Sequence, residues 1–147
     1  MFGAGLLILE ATAVEAAGRI TPACLGLYSD ANEAALEPVV ALCRRWGTAR
    51  LGIQLAHAGR KASVKVPWQG GGPLDAGAWQ TFGASPIPFD ESWPAPRELD
   101  DTGLAHIRDA FVAAAKRADQ LGFDGVELHG AHGYLLHGFV PPVSHRR

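Results

Sequence analysis

Three short apolar runs punctuate the chain, and each gives way to polar residues before a turn. Leu6-Leu7-Ile8-Leu9 runs into Glu10-Ala11-Thr12, Ala49 to Leu55 carries Gln54 and leads to His57, and Gly125-Val126-Glu127-Leu128 ends at His129. Runs this short, bounded by turn residues, suit the buried strands of a parallel sheet, although periodicity alone also admits short buried helical segments. Between the first two runs the spacing predicts a helix over about Asn32 to Trp46, with Asp30 as N-cap and Gly47 as C-terminal stop. Its apolar face uses Leu36, Val39, Val40, Cys43 and Trp46, and Pro38 predicts a kink or restart, because proline removes a backbone bond inside a helix. A cleaner helix spans Asp101 to Leu121, where Leu104, Ile107, Phe111, Ala114, Ala118 and Leu121 alternate at three and four residues before Gly122. Strand, helix, strand, helix, strand is the signature of βαβ units on a parallel sheet, an α/β fold.

The stretch 61–97 interrupts this rhythm with three of the chain's four tryptophans, several prolines and Gly70-Gly71-Gly72-Pro73. That composition predicts an ordered excursion, a hairpin or packed loop, since a flexible linker has no use for tryptophan. The glycines lack the Lys-Ser/Thr and following helix of a phosphate loop.

Length and composition then narrow the function. The 147 residues match one domain, and 48% hydrophobic against 19% charged residues excludes disorder as the ground state. Thirteen basic against fifteen acidic residues give a net charge of −2, with no basic field to gather nucleic acid. No apolar run reaches the roughly 20 residues of a membrane span, and the start lacks the basic region of a signal peptide, so the expectation is a cytoplasmic protein. Cys24 and Cys43 lie too far apart for a C-x-x-C pair and read as plain thiols.

In parallel α/β folds chemistry sits at the carboxyl ends of strands. The richest end is the third, Glu127-Leu128-His129-Gly130-Ala131-His132-Gly133-Tyr134, with two imidazoles and a phenol within six residues. Two neutral imidazoles aimed at one point can donate hydrogen bonds to a carbonyl or phenolate oxygen and stabilise the charge developing there. A phenol beyond them is a serviceable acid toward a carbanion. Two other readings stay open: His129 and His132 cap the next helix while Tyr134 packs in the core, or His129, His132 and His137 bind a metal. At the second strand Gln54 offers an amide donor and acceptor, able to read an imide-like ring edge or to satisfy buried backbone. His57 and Arg60 read as solvated or ion-paired structural residues. Glu10 and Glu127 also read as structural, needing Arg19, Arg60 or a backbone amide as partner if buried.

Glu10-Ala11-Thr12-Ala13-Val14 with Gly18-Arg19-Ile20-Thr21, then Gln54-Leu55-Ala56-His57-Ala58-Gly59-Arg60-Lys61, then Gly122 through Leu135, together resemble the old yellow enzyme family, in its YqjM and xenobiotic reductase-like branch. The resemblance implies residues 1–147 as part of an FMN-binding TIM (β/α)₈ barrel, about strands two to four, with the 61–97 insertion after the second strand present. It implies FMN and NADPH as cofactors and reduction of the C=C bond of an α,β-unsaturated carbonyl compound, or enone. Gln54 matches the glutamine that bonds the flavin pyrimidine ring, and Ala11 the position whose backbone contacts FMN. His129 and His132 match the pair that grips the substrate carbonyl, and Tyr134 the proton donor. The partner implied is a small molecule, not nucleic acid or membrane, and a homo-oligomer is compatible with it. The family's first strand and its FMN-phosphate anchors are expected outside these residues, so the chain alone is expected to hold FMN weakly. An inactive fragment that needs another chain to complete its barrel, and a histidine-ligated metal hydrolase, are the competing expectations. One departure falls at His145, where relatives carry asparagine, and Cys24 does not match the family's redox-tuning cysteine.

Overall fold

The computed structural model describes residues 3–146; the outermost positions of the predicted domain, 1–2 and 147, lie outside them. Strands β1 (Leu6–Ala13), β2 (Arg50–Ala56) and β5 (Gly125–Leu128) form one sheet in the order β1-β2-β5, with both pairings parallel. Helix α1 (Asp30–Trp46) connects β1 to β2, and α2 (Asp101–Gln120) precedes β5. The predicted alternation of strands and helices is the observed one.

The sheet and both helices meet in a single apolar cluster. Leu51, Ile53 and Leu55 of β2 pack with Leu36 and Val40 of α1, Ala114 and Ala118 of α2, and Val14 and Leu27 of the β1–α1 connection. The alanines let α2 approach the sheet closely. Ser29, rather than Asp30, is the N-cap of α1: its hydroxyl accepts from the Asn32 amide at 3.2 Å, and Asp30 becomes the first helical residue. The helix runs unbroken through Pro38, with no restart, because Leu36 and Val40 on either side are buried in the cluster. Val39 and Trp46, expected on the apolar face, are exposed instead. Asp100 caps α2 by accepting from Gly103, as acidic N-caps do.

The entry to β5 is set by Asp124. Its carboxylate accepts from the Leu51 amide at 2.7 Å and pairs with Arg44 and Arg50 at 2.6 and 2.9 Å, tying the end of α1 and the start of β2 to the start of β5. These bonds hold its pKa well below the usual carboxylate range, the Leu51 amide first and the two arginines next.

Stretch 61–97 is ordered. Val64 and Pro73 form an antiparallel bridge, and short strands β3 (Phe82–Gly83) and β4 (Arg97–Glu98) pair in parallel. Trp79 donates its indole N–H to Ala17 O at 3.0 Å and lies under the Arg19 guanidinium, while Arg60 donates to Ile87 O and Pro88 O. The excursion is thereby fastened across the carboxyl ends of β1 and β2. Trp68 differs from its companions and stands in solvent.

The sheet edges carry uncovered apolar side chains: Leu6, Leu7 and Ile8 on β1, Val126 and Leu128 on β5. The cluster beneath is closed by contrast, with Ile53 fully buried. Ile53→Ala is expected to cost about 2–5 kcal/mol in urea unfolding, whereas Val126→Ala, at 43% exposure, is expected to cost under about 1 kcal/mol.

Candidate active site at the strand ends

Two side-chain groups collect at the carboxyl end of the sheet. The first surrounds a bulge. Leu9 pairs with Ile53 and Thr12 with Leu55, so Glu10 and Ala11 together oppose Gln54. A bulge of this kind bends the strand and leaves one residue out of the ladder. It places the backbone of Ala11, with that of Glu10, opposite Gln54. On the other side Gln54 pairs with Glu127 of β5 and donates from Nε2 to Glu127 Oε1 at 2.6 Å. The carbonyl oxygen of Gln54 is left as an acceptor with no bond among the described residues. Glu127 therefore finds its partner in a glutamine rather than in Arg19, Arg60 or a backbone amide. Glu10 is exposed and needs none.

The second group is the loop after β5, which is laid onto the end of β2 by backbone bonds. His129 N–H donates to Leu55 O at 2.9 Å and Leu135 N–H to His57 O at 3.0 Å. Gly59 permits this contact: its φ is +61°, and a Cβ there would sit 2.9 Å from the Leu135 Cα. Within the loop the rings of His129, His132 and Tyr134 meet edge to face, with centroids 5.1 Å apart for the two imidazoles and 4.9 Å for His129 and Tyr134. His132 adopts φ +58°, the left-handed region, and Lys61 Nζ donates to its carbonyl oxygen at 2.9 Å.

The tautomer of His129 follows from its neighbour. Its Nδ1 accepts from the Ala131 amide at 3.3 Å, so in the neutral ring Nε2 carries the proton. Burial, and then the proximity of His132, pull its pKa below the ordinary histidine value, which keeps the ring neutral and Nε2–H a donor at pH 7. Burial and the nearby Cys24 thiol push the Tyr134 phenol up from its usual value. His137 is engaged separately, accepting from Gly133 N–H at 2.8 Å. Among the described residues no cluster of three or more His, Cys, Asp or Glu is placed to hold a metal ion. The expected imidazole–phenol cluster thus comes together, and so does the pair Ala11 and Gln54.

Sequence reasoning missed a buried polar pair beside this site. His57 Nδ1 accepts from Gly59 N–H at 3.0 Å, which leaves Nε2–H to donate to Glu15 Oε1 at 2.8 Å. Glu15 Oε2 faces His106 of α2 at 2.7 Å. Gly18 makes room for the His57 ring, since a Cβ there would lie 2.9 Å from it. Glu15 borders a cavity of about 580 Å³ lined also by Phe82, Arg97, His106 and Ile107, separate from the imidazole–phenol cluster. The ion-paired structural role expected for His57 is its role here. The partner was not legible because Glu15 lies 42 residues away in sequence.

The parallel α/β sheet thus carries an amide at the end of one strand and two imidazoles beside a phenol after the next. The sequence profile of the NADH:flavin oxidoreductase / NADH oxidase family matches residues 1–147, and the chain belongs to that family, whose cofactors are FMN and a nicotinamide. It is 45% identical over 145 residues to an NADPH dehydrogenase of Listeria innocua, covering 99% of this chain and 39% of the relative. An NADPH dehydrogenase of Geobacillus sp. is 41% identical over 143 residues, with 97% and 38% covered. An NADH:flavin oxidoreductase of Gibberella zeae is 40% identical over 151 residues, with 99% and 36% covered. Morphinone reductase superimposes with a TM-score of 0.80 at 27% identity over 97% of this chain and 40% of its own, and its complex with tetrahydroNAD gives 0.79. The chain thus spans about two fifths of the relatives it matches.

Gly59→Ala places a side chain at positive φ against the Leu135 backbone. It is expected to cost more than about 1 kcal/mol in urea unfolding and to shift the His129 and His132 imidazole proton resonances in NMR. The Glu15 pKa is held below its ordinary value, first by the bond from His57 and further by His106, against the opposing effect of burial. A carboxyl whose folded pKa is depressed stabilises above its unfolded pKa, about 4.3, and that contribution disappears as pH falls through the folded value. Glu15→Gln is therefore expected to lower stability by about 1–3 kcal/mol at pH 7 and to flatten the loss between about pH 5 and 3, measured by urea unfolding across that range.

Proposed function

We propose that this chain carries the substrate-activating and flavin-edge-reading part of an FMN-dependent ene-reductase, which reduces the C=C bond of α,β-unsaturated carbonyl compounds with NAD(P)H. The observation that carries the reading is the packing of His129, His132 and Tyr134 rings at the end of β5, beside the strand end where the Glu10–Ala11 bulge opposes Gln54. In this reading the three-stranded unit is about strands two to four of a (β/α)₈ barrel, with 61–97 as the insertion after its second strand, β2. The open edges of β1 and β5 support it, because a barrel pairs both.

The residues fit a flavin. Gln54 keeps an amide carbonyl to accept from an imide N–H, and the bulge brings the Ala11 backbone to the same level of the sheet. FMN, when bound, supplies the hydride that a nicotinamide has delivered. The protein's part is placement and polarisation. His129 Nε2–H, with His132 beside it, donates to the substrate carbonyl oxygen, drawing electron density from the β-carbon so that this carbon accepts hydride. The neutral ring presents one fixed donor, Nε2–H, because Nδ1 accepts from Ala131 N–H. Tyr134 supplies the proton at the α-carbon, where the electron pair of the former double bond collects.

The second reading, a piece that works only when another polypeptide completes the sheet, is favoured by the same exposed Leu6, Leu7, Ile8, Val126 and Leu128. Sedimentation of the purified chain separates the two states.

With FMN and NADPH supplied, enone-dependent NADPH oxidation by Tyr134→Phe is expected to fall about 10²-fold or more, while flavin reduction by NADPH in the absence of enone keeps its rate. Equal enone turnover by the two proteins removes Tyr134 from the proton-donor role.

A further inference from the structure

We infer that Lys61 is a positioning residue that sets the acidity of the Tyr134 phenol. Lys61 closes the short 3₁₀ turn Gly59–Lys61 after β2, and its ammonium lies between two aromatic faces. It is 5.1 Å from the ring centre of Tyr134 and 4.6 Å from that of Phe89, both within the roughly 6 Å over which a cation is attracted to an aromatic face. Its ammonium donates to His132 O at 2.9 Å.

The charge has no local competitor. Among the described residues no carboxylate pairs with Lys61, and its neighbour Arg60 is turned to Ile87 O, Pro88 O and the Phe89 ring. The other titratable groups facing Tyr134 are His129, His132 and Cys24. An ammonium held over a phenol favours the phenolate over the phenol, because the ring gains a full negative charge on ionising. Burial works the other way on both partners, pushing the Tyr134 phenol up and, with Arg60, the Lys61 ammonium down. Lys61 thus offsets the cost of the dry site for a tyrosinate. Its bond to the His132 carbonyl does a second service, bracing the one loop residue other than glycine held at positive φ.

The consequence for turnover rests on the reading of Tyr134 as proton donor. When the phenol O–H bond breaks, its electron pair stays on the phenolate oxygen and the proton forms the new C–H bond at the α-carbon; solvent then returns a proton to the oxygen. Lys61 stabilises the phenolate between these two events. The acidity itself needs neither substrate nor flavin.

The chain has two tyrosines, so Tyr28→Phe leaves Tyr134 as the sole phenol whose ionisation ultraviolet absorbance reports. In that background the Tyr134 pKa is expected to lie about one unit higher in Lys61→Gln, which keeps a donor and removes the charge, than in Lys61→Arg, which stays charged while the phenol ionises. Equal Tyr134 titrations in Lys61→Gln and Lys61→Arg overturn the inference. If circular dichroism shows that Lys61→Gln does not fold, the Lys61 ammonium resonance of the native chain is followed by NMR as pH rises. A step that coincides with tyrosinate absorbance and vanishes in Tyr134→Phe supports the inference; a trace indifferent to Tyr134 overturns it. Should enone turnover prove insensitive to Tyr134→Phe while the Lys61→Gln shift persists, the ene-reductase reading fails and the acidity assignment stands.

Discussion

The candidate site depends on a backbone stitch between two strand ends. His129 N–H to Leu55 O and Leu135 N–H to His57 O lay the loop 129–135 along the end of β2, and each bond is made where the parallel ladder has run out. Without it the imidazoles and the phenol would ride on a free loop. Gly59 makes the approach sterically open, Lys61 adds a side-chain bond to His132 O, and Leu135 is buried beneath. A site held by backbone bonds to a strand end is preorganised, which matters because polarising donors act only if they are aimed before the charge develops.

Electrostatics around this loop follow from its dryness. A buried His129 is driven to its neutral form, and the Ala131 amide then decides which nitrogen carries the proton. Two cations, Arg60 and Lys61, lie in the same region with carbonyls and aromatic faces as partners instead of carboxylates. Glu15, the nearby buried acid, is occupied by His57 and His106. The acidic and cationic side chains of this region are thus kept apart.

The apolar surface tells a parallel story at the scale of the fold. One side of the sheet is closed by α1 and α2 over Leu51, Ile53 and Leu55, while both outer strands show exposed leucine, isoleucine or valine. Parallel sheets are covered on both faces in complete folds. The chain spans about two fifths of its relatives, and among the described residues no further strand of this sheet lies on the outer side of β1 or β5.

Periodicity by itself determined the elements: the three apolar runs became the three strands of the parallel sheet, and the three-four spacing from Leu104 to Ala118 became α2. Local chemistry also marked His129, His132, Tyr134 and Gln54 as worth attention, because polar groups at strand ends are unusual in a buried run. Boundaries were less legible. The N-cap of α1 moved to Ser29 because a hydroxyl one residue earlier reached the Asn32 amide, and the helix tolerated Pro38 because burial of Leu36 and Val40 outweighs one lost backbone bond. Only tertiary structure decided that Glu127 bonds Gln54, that Glu15 bonds His57, and that Lys61 reaches both Tyr134 and His132. Those partners lie 42 to 73 residues apart. No local pattern records such a meeting; it follows from the register of β2 with its two neighbours and from the loops that register brings together.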